Sequence, residues 1–175
     1  MMRQLASLGF AVCFVVSAGA ARADDLPVRK AGLWEIKTAR SGSSIPEMTM
    51  QHCTDETVDK DMNNNVSPLA KQICSKQEIH KTPTGYVSDS VCDVAGVTST
   101  SHAEITGDFN SAYTVKTVSH AQGGVAGAGR DTTVMLEAKW LGACKPDQKP
   151  GDVVMPGGFK VNVKDIGKLK ALLPK

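Results

Sequence analysis

Val97-Thr98-Ser99-Thr100-Ser101-His102-Ala103-Glu104-Ile105-Thr106 is the stretch whose reading decides the fold. Val97, Ser99, Ser101, Ala103 and Ile105 share one phase, and polar side chains hold the other. A period of two sends alternate side chains to opposite faces, which argues for a half-buried strand. The same signal recurs on both sides. Upstream, Cys74 to Lys81 and Tyr86 to Val94 flank the turn Thr82-Pro83-Thr84-Gly85. Downstream, the turn Gly107-Asp108-Phe109-Asn110 leads into Ala112 to His120. The glycine-rich loop Gln122 to Gly129 then leads into Asp131 to Leu141, with Val134, Leu136, Ala138 and Trp140 on one face. Near the start, Trp34, Ile36 and Thr38 alternate with Glu35 and Lys37. After the turn cluster Ser41-Gly42-Ser43-Ser44, Ile45 to Cys53 carries Met48 and Met50 on one face. The expected fold is mainly β, a curved antiparallel meander sheet or partial barrel of about seven strands. Trp34 and Trp140 are both expected to be largely buried, because both lie on the apolar phase.

Two segments break the pattern. Thr54, followed by Asp55 and Glu56, reads as the N-cap of one short helix reaching about Asn63, since early acids suit the positive end of the helix dipole. After Cys144, Asp152 to Val163 reads as a small hairpin around Pro156-Gly157-Gly158. Val163 to Leu173 reads as a basic amphipathic helix carrying Ile166, Leu169, Leu172 and Leu173. That apolar stripe suits packing on the sheet, with a membrane-surface role as the alternative.

The first residues read as a cleavable leader. Arg3 precedes an apolar stretch from Leu5 to Ala18, and Ala21-Arg22-Ala23 supplies the small residues a signal peptidase accepts, with the cut after Ala23. The stretch is shorter than the roughly 20 apolar residues a membrane span needs. The expected organisation is therefore a signal peptide over 1–23, one β domain over 24–144 and a basic tail over 145–175. The mature chain is periplasmic or secreted, with no transmembrane segment. Losing Arg3 and Arg22 leaves 18 basic against 18 acidic side chains, and a neutral chain gives no reason to expect nucleic acid as a partner. Aromatic residues make up only 5% of the chain, so the core needs other support.

That support is expected from Cys53, Cys74, Cys92 and Cys144, four cysteines in an exported chain. In a hairpin turning at Pro83-Thr84, Cys74 comes close to Cys92 across the ladder. Cys53 and Cys144 are left at the ends of their strands, on the same rim if the helix carries the chain across the sheet. The chosen pairing is Cys74–Cys92 with Cys53–Cys144, and the alternative, Cys53–Cys74, would bracket the helix. No catalytic or cofactor-binding signature is found. His52, His80, His102 and His120 are too far apart in sequence to form a local metal pair.

Gly32-Leu33-Trp34-Glu35, the pair Met48 and Met50 before Cys53, the acidic helical stretch, Cys74 and Cys92, the Tyr113 strand and Leu141-Gly142-Ala143-Cys144 occur in that order. Together they resemble the domain-of-unknown-function family 3617, small exported proteins of Gram-negative bacteria. The resemblance spans roughly Gly32 to Cys144. It departs at Lys139-Trp140-Leu141, in the glycine-rich loop and in the tail. It implies compartment and fold class and carries no mechanism.

The expected function is a non-enzymatic binding module. A curved sheet with Trp34, Met48, Met50 and Trp140 inside would line a site for a small apolar ligand, with room left by Ser99, Ser101 and Ala103. The alternative is a structural or protein-interaction domain of the envelope, working through an exposed sheet edge or the basic tail.

Overall fold

The computed structural model describes residues 26–41, 46–64, 73–124 and 129–165. The leader, the end of the tail and residues 125–128 of the glycine-rich loop lie outside these residues.

Among the described residues, nine strands form a single open antiparallel sheet. They are β1 (Gly32–Arg40), β2 (Met48–Thr54), β3 (Cys74–Thr82), β4 (Gly85–Val94), β5 (Val97–Asp108), β6 (Ala112–Gly123), β7 (Arg130–Gly142), β8 (Asp152–Val154) and β9 (Lys160–Asn162). One helix, α1 (Glu56–Asn64), lies between β2 and β3. The sheet order is β3-β4-β5-β6-β7-β1-β2-β8-β9. The meander from β3 to β7 is thus completed by the N-terminal hairpin, which docks on β7. The strand count exceeds the expected seven because the small C-terminal hairpin joins the main sheet through β8 on β2.

Turn chemistry fixes the register. In the β3–β4 hairpin Thr82 faces Gly85, and Gly85 has φ 155°. A Cβ there would stand 2.0 Å from the Ile105 carbonyl oxygen, so only glycine admits the approach of β5. At Gly107, φ is 117° and a Cβ would meet the Ala112 carbonyl oxygen at 2.6 Å. That glycine lets β5 and β6 close tightly at their turn.

The helix begins one residue later than Thr54 would dictate. The Val58 amide donates to Asp55 Oδ1 at 2.7 Å, so Asp55 is the N-cap. Thr54 is the last residue of β2 and is buried. Its place in the ladder overrides its cap propensity. From β2 near one edge, α1 starts the crossing that delivers the chain to β3 at the other edge.

Two cysteine pairs stand at disulfide distance. Cys53 of β2 meets Cys144, at a sequence separation of 91, and Cys74 of β3 meets Cys92 of β4. The core is built from Leu33 and Trp34 of β1, Cys53 of β2, Val58 of α1, Ile105 of β5 and Ala138 of β7.

Candidate functional site

The two faces of the sheet differ in kind. Pairing register carries the phase of Trp34 and Ile36 across every strand. On this face, successive rows run from aromatic to apolar to hydroxyl. The first holds His52, Trp34 and Trp140, and the second Met50, Ile36, Ala138 and Tyr113. The third holds Met48, Thr38, Leu136, Val115, Ile105 and Tyr86. Beyond it come Thr117, Ala103 and Ser88, then Ser119, Ser101 and Ser90. Ile36, Met48, Met50, Val115 and Leu136 are only half-buried. An apolar band therefore keeps solvent-accessible surface beside a row of small hydroxyls, where Ser101 and Ser119 share a hydrogen bond of 2.8 Å.

The end of this face beneath α1 is closed by a buried polar cluster. The Arg29 backbone amide donates to Asp59 Oδ2 at 2.6 Å, and its Nε and Nη2 reach Asp59 Oδ1 at 2.6 Å each. Arg29 Nη1 lies 3.5 Å from the Tyr113 hydroxyl, and Nη2 lies 3.3 Å from His52 Nδ1. A guanidinium can only donate, so His52 Nδ1 accepts and the ring proton sits on Nε2. Burial, and then the Arg29 charge, pull His52 down to about 4, against the opposing pull of Asp59. Burial raises the Tyr113 hydroxyl, with Arg29 opposing it. His52 Nε2 is buried without a hydrogen-bond partner among the described residues.

Neutral His52 implies an acid-sensitive fold. The unfolded chain takes up this proton near pH 6.5, and the folded chain does so only near 4. Stability from this group is therefore complete above about pH 6.5 and drains away as pH falls through 4, a loss of roughly 3 kcal/mol. Urea titrations at pH 7 and 4.5 should show it. His52→Gln should flatten the pH slope, and an unchanged slope would reject this assignment.

The four residues expected to line a ligand are placed differently from one another. Met48 and Met50 lie half-buried on the apolar band. Trp34 has no exposed surface; it packs against Tyr113, with ring centroids 5.6 Å apart, and Arg29 lies 5.9 Å over its ring. Trp140 is half-buried, less enclosed than Trp34. Trp140 pairs with Trp34 across β1 and β7, at the last pair before the register shifts at Leu33, and the Lys30 ammonium lies 3.6 Å from its ring centroid. Both indoles grip the same strap of chain. Trp34 Nε1 donates to the Lys30 carbonyl at 2.8 Å and Trp140 Nε1 to the Ala31 carbonyl at 3.1 Å.

Arg29 and Asp59 carry no sequence signal for this role. One sits in a charged lead-in and the other on a short acidic helix, where a solvated side chain is the default. The opposite sheet face is polar and exposed. His102 pairs with Asp89 at 2.8 Å and His120 with Asp131 at 2.5 Å. Among the described residues no group of three His, Cys, Asp or Glu side chains could hold a metal ion. A depression of about 350 Å³ on this face is flanked by Glu35, Lys37, Glu137 and Lys139, and another of about 450 Å³ by Asp147, Asp152 and Lys160. Charged rims of this kind suit no apolar ligand.

The family model described as "Protein of unknown function (DUF3617)" matches residues 29–144. The chain belongs to that family. The matched span runs from Arg29 of the buried cluster to Cys144 of the long-range cysteine pair, and the β8–β9 hairpin lies beyond it. No curated protein and no solved structure matches the chain.

Proposed function

We propose that this chain is an exported, non-enzymatic binding module that takes a small apolar ligand on the half-covered face of its sheet. The observation that carries the reading is the band of Ile36, Met48, Met50, Val115 and Leu136, which keeps accessible apolar surface in a domain with few large side chains to spare. The neighbouring hydroxyl rows would receive a polar end of the ligand. Export is supported by the leader-like start, by the two cysteine pairs at disulfide distance and by the finding that no helix of the described residues is long and apolar enough to cross a membrane. A non-enzymatic role is supported by His52, which is 2% exposed with Nδ1 against Arg29, out of reach of a substrate.

The rival reading, an envelope structural or protein-interaction domain, would use a sheet edge. The β3 edge carries Lys76, Glu78 and Lys81, and charges of this kind oppose strand addition.

Native mass spectrometry of protein purified from its own host compartment, followed by solvent extraction, tests the proposal. A co-purifying apolar molecule is expected. Met50→Glu sets a charge in the band and should weaken a fluorescent hydrophobic probe by about tenfold or more, because burying an unpaired charge costs well over 1.4 kcal/mol. No extracted ligand together with no saturable probe binding would reject the proposal.

A further inference from the structure

The C-terminal hairpin lengthens the apolar band of the sheet. His52 of β2 faces Val153 of β8, and Val153 faces Val161 of β9, so both valines share the face of Trp34. The alternation runs on past the strand ends, because Met155 and Phe159 both keep extended backbone. The Met155 amide donates to the Phe159 carbonyl at 2.8 Å, which continues the β8–β9 register by one pair. Each of the two stands two residues from a valine of this face, so each stands on it as well. Continuing the β2–β8 register past Gln51 and Val154 sets Met155 beside Met50.

Phe159 is 67% exposed, more than any other large apolar side chain among the described residues, and Met155 is half-buried. Single exposed apolar residues are ordinary. This one ends a series, since Met48, Met50, Met155 and Phe159 follow one another on a single face from β2 to the tip of the hairpin. Methionine is flexible and polarizable, which suits it to apolar surfaces that must fit a guest. The hairpin lies beyond the family match, so the band reaches further than the matched span.

Charge is divided between the two faces. Every Asp and Glu within the nine strands falls in the phase opposite to Trp34, from Glu35 and Glu137 to Asp89 and Glu104. Arg40 stands on the Trp34 face at the end of β1, two residues beyond Thr38, whose partner is Met48. It is exposed and forms no salt bridge among the described residues. Asp59, which abuts the other end of this face, is already matched by Arg29. In the row of Arg40 come Val134 and then Thr117, so a guanidinium and a hydroxyl flank an apolar position. Such a corner favours an anion, and a guanidinium meets a carboxylate through two parallel hydrogen bonds. At about 3.3 Å per residue and about 4.8 Å per strand, Arg40 lies roughly 20 Å from Phe159 across the face, a span suited to a long unbranched alkyl chain.

We propose that the ligand of this face is a long-chain fatty acid, with its carboxylate on Arg40 and its chain laid along Met48, Met50 and Met155 to Phe159. This rests on the reading of the apolar band as a binding face, and it names what that face takes.

The test uses the full mature chain in mildly alkaline buffer, with a neutral hydrophobic fluorescent probe displaced by palmitate, methyl palmitate or octanoate. Palmitate, kept below its self-association concentration, should displace the probe about tenfold better than either of the others. High salt should weaken palmitate and leave the ester unchanged. Arg40→Gln should weaken palmitate about tenfold while the probe and the ester bind as before, and Arg40→Lys should keep part of the preference. Phe159→Ser should weaken palmitate about threefold or more and spare octanoate, which is too short to reach the tip. Both residues are exposed, and far-ultraviolet circular dichroism confirms that the variants are folded. Saturable probe binding with equal displacement by palmitate and its ester would overturn the fatty acid and leave the band standing. An unchanged palmitate affinity in Arg40→Gln would do the same, and an unchanged affinity in Phe159→Ser would overturn the path along the hairpin. Binding of neither probe nor palmitate would overturn the band reading itself, and this proposal with it.

Discussion

Reducing both cysteine pairs should unfold this domain at moderate temperature, and the larger share of the loss should come from Cys53 and Cys144. Those residues stand 91 apart in sequence, against 18 for Cys74 and Cys92. Loop-closure entropy in the unfolded chain then gives about 4–5 kcal/mol for the first bridge and about 3 kcal/mol for the second. Together they rival the whole net stability of an ordinary domain, about 5–15 kcal/mol. The position of each pair points the same way. Cys53 is fully buried beside Leu33 and Trp34 and ties the end of β2 to the segment after β7. Cys74–Cys92 joins two strands that already pair, at the edge of the sheet. Thermal unfolding of wild type, Cys53→Ser, Cys144→Ser and Cys74→Ser should therefore sort into two classes. Cys53→Ser should match Cys144→Ser and melt well below Cys74→Ser. Equal midpoints in all three variants would reject the ranking. Four free thiols in protein taken from its host compartment would reject the structural role of the cysteines.

Most of the sheet is legible in the sequence because its signals are local. Alternation over Val97 to Thr106 reports which side chains face the core, and Pro83 and Gly85 report where the chain reverses. Both act within a few residues, so register follows from them. The docking of β1 on β7 is less legible, since it joins segments about a hundred residues apart and depends on the matching of Trp34, Ile36 and Thr38 with Trp140, Ala138 and Leu136. The start of α1 is misread for a similar reason. Thr54 is an acceptable cap by type, but the ladder with Gly32 holds it in β2, and Asp55 takes the role.

The buried cluster is where sequence reading fails. Hydropathy places Arg29 in solvent, and nothing local says otherwise. Its burial depends on α1 carrying Asp59 to it from 30 residues away, and on Tyr113 arriving from β6. Trp34 and Trp140 look alike by phase and face each other across β1 and β7, yet Trp34 has no exposed surface, packed against Tyr113 beneath Arg29, whereas Trp140 is half-buried. The Met48 and Met50 positions, by contrast, follow directly from alternation.

Asp59→Ala should be the most damaging single substitution outside the cysteines, at about 3–5 kcal/mol. Asp59 is 1% exposed and Arg29 8%. Its carboxylate accepts three donors from Arg29, one from the backbone amide and two from the guanidinium. Removing it leaves a buried guanidinium facing neutral His52 and a tyrosine hydroxyl, neither of which can balance the charge. It also frees the amide of Arg29, a second buried donor without a partner. Changing Arg29 to Met as well should recover part of the loss, since no uncompensated charge then remains and the alkyl chain still fills space beside Trp34. A double-mutant cycle by urea denaturation would measure this. The expected result is strong positive coupling, with the double variant more stable than Asp59→Ala alone. The strap from Arg29 to Ala31 should loosen in the single variant, visible as a red shift of Trp34 emission, because Lys30 and Ala31 accept both indole N–H groups. Additive losses in the cycle, or a folded Asp59→Ala protein within about 1 kcal/mol of wild type, would show that the cluster carries none of the weight assigned to it.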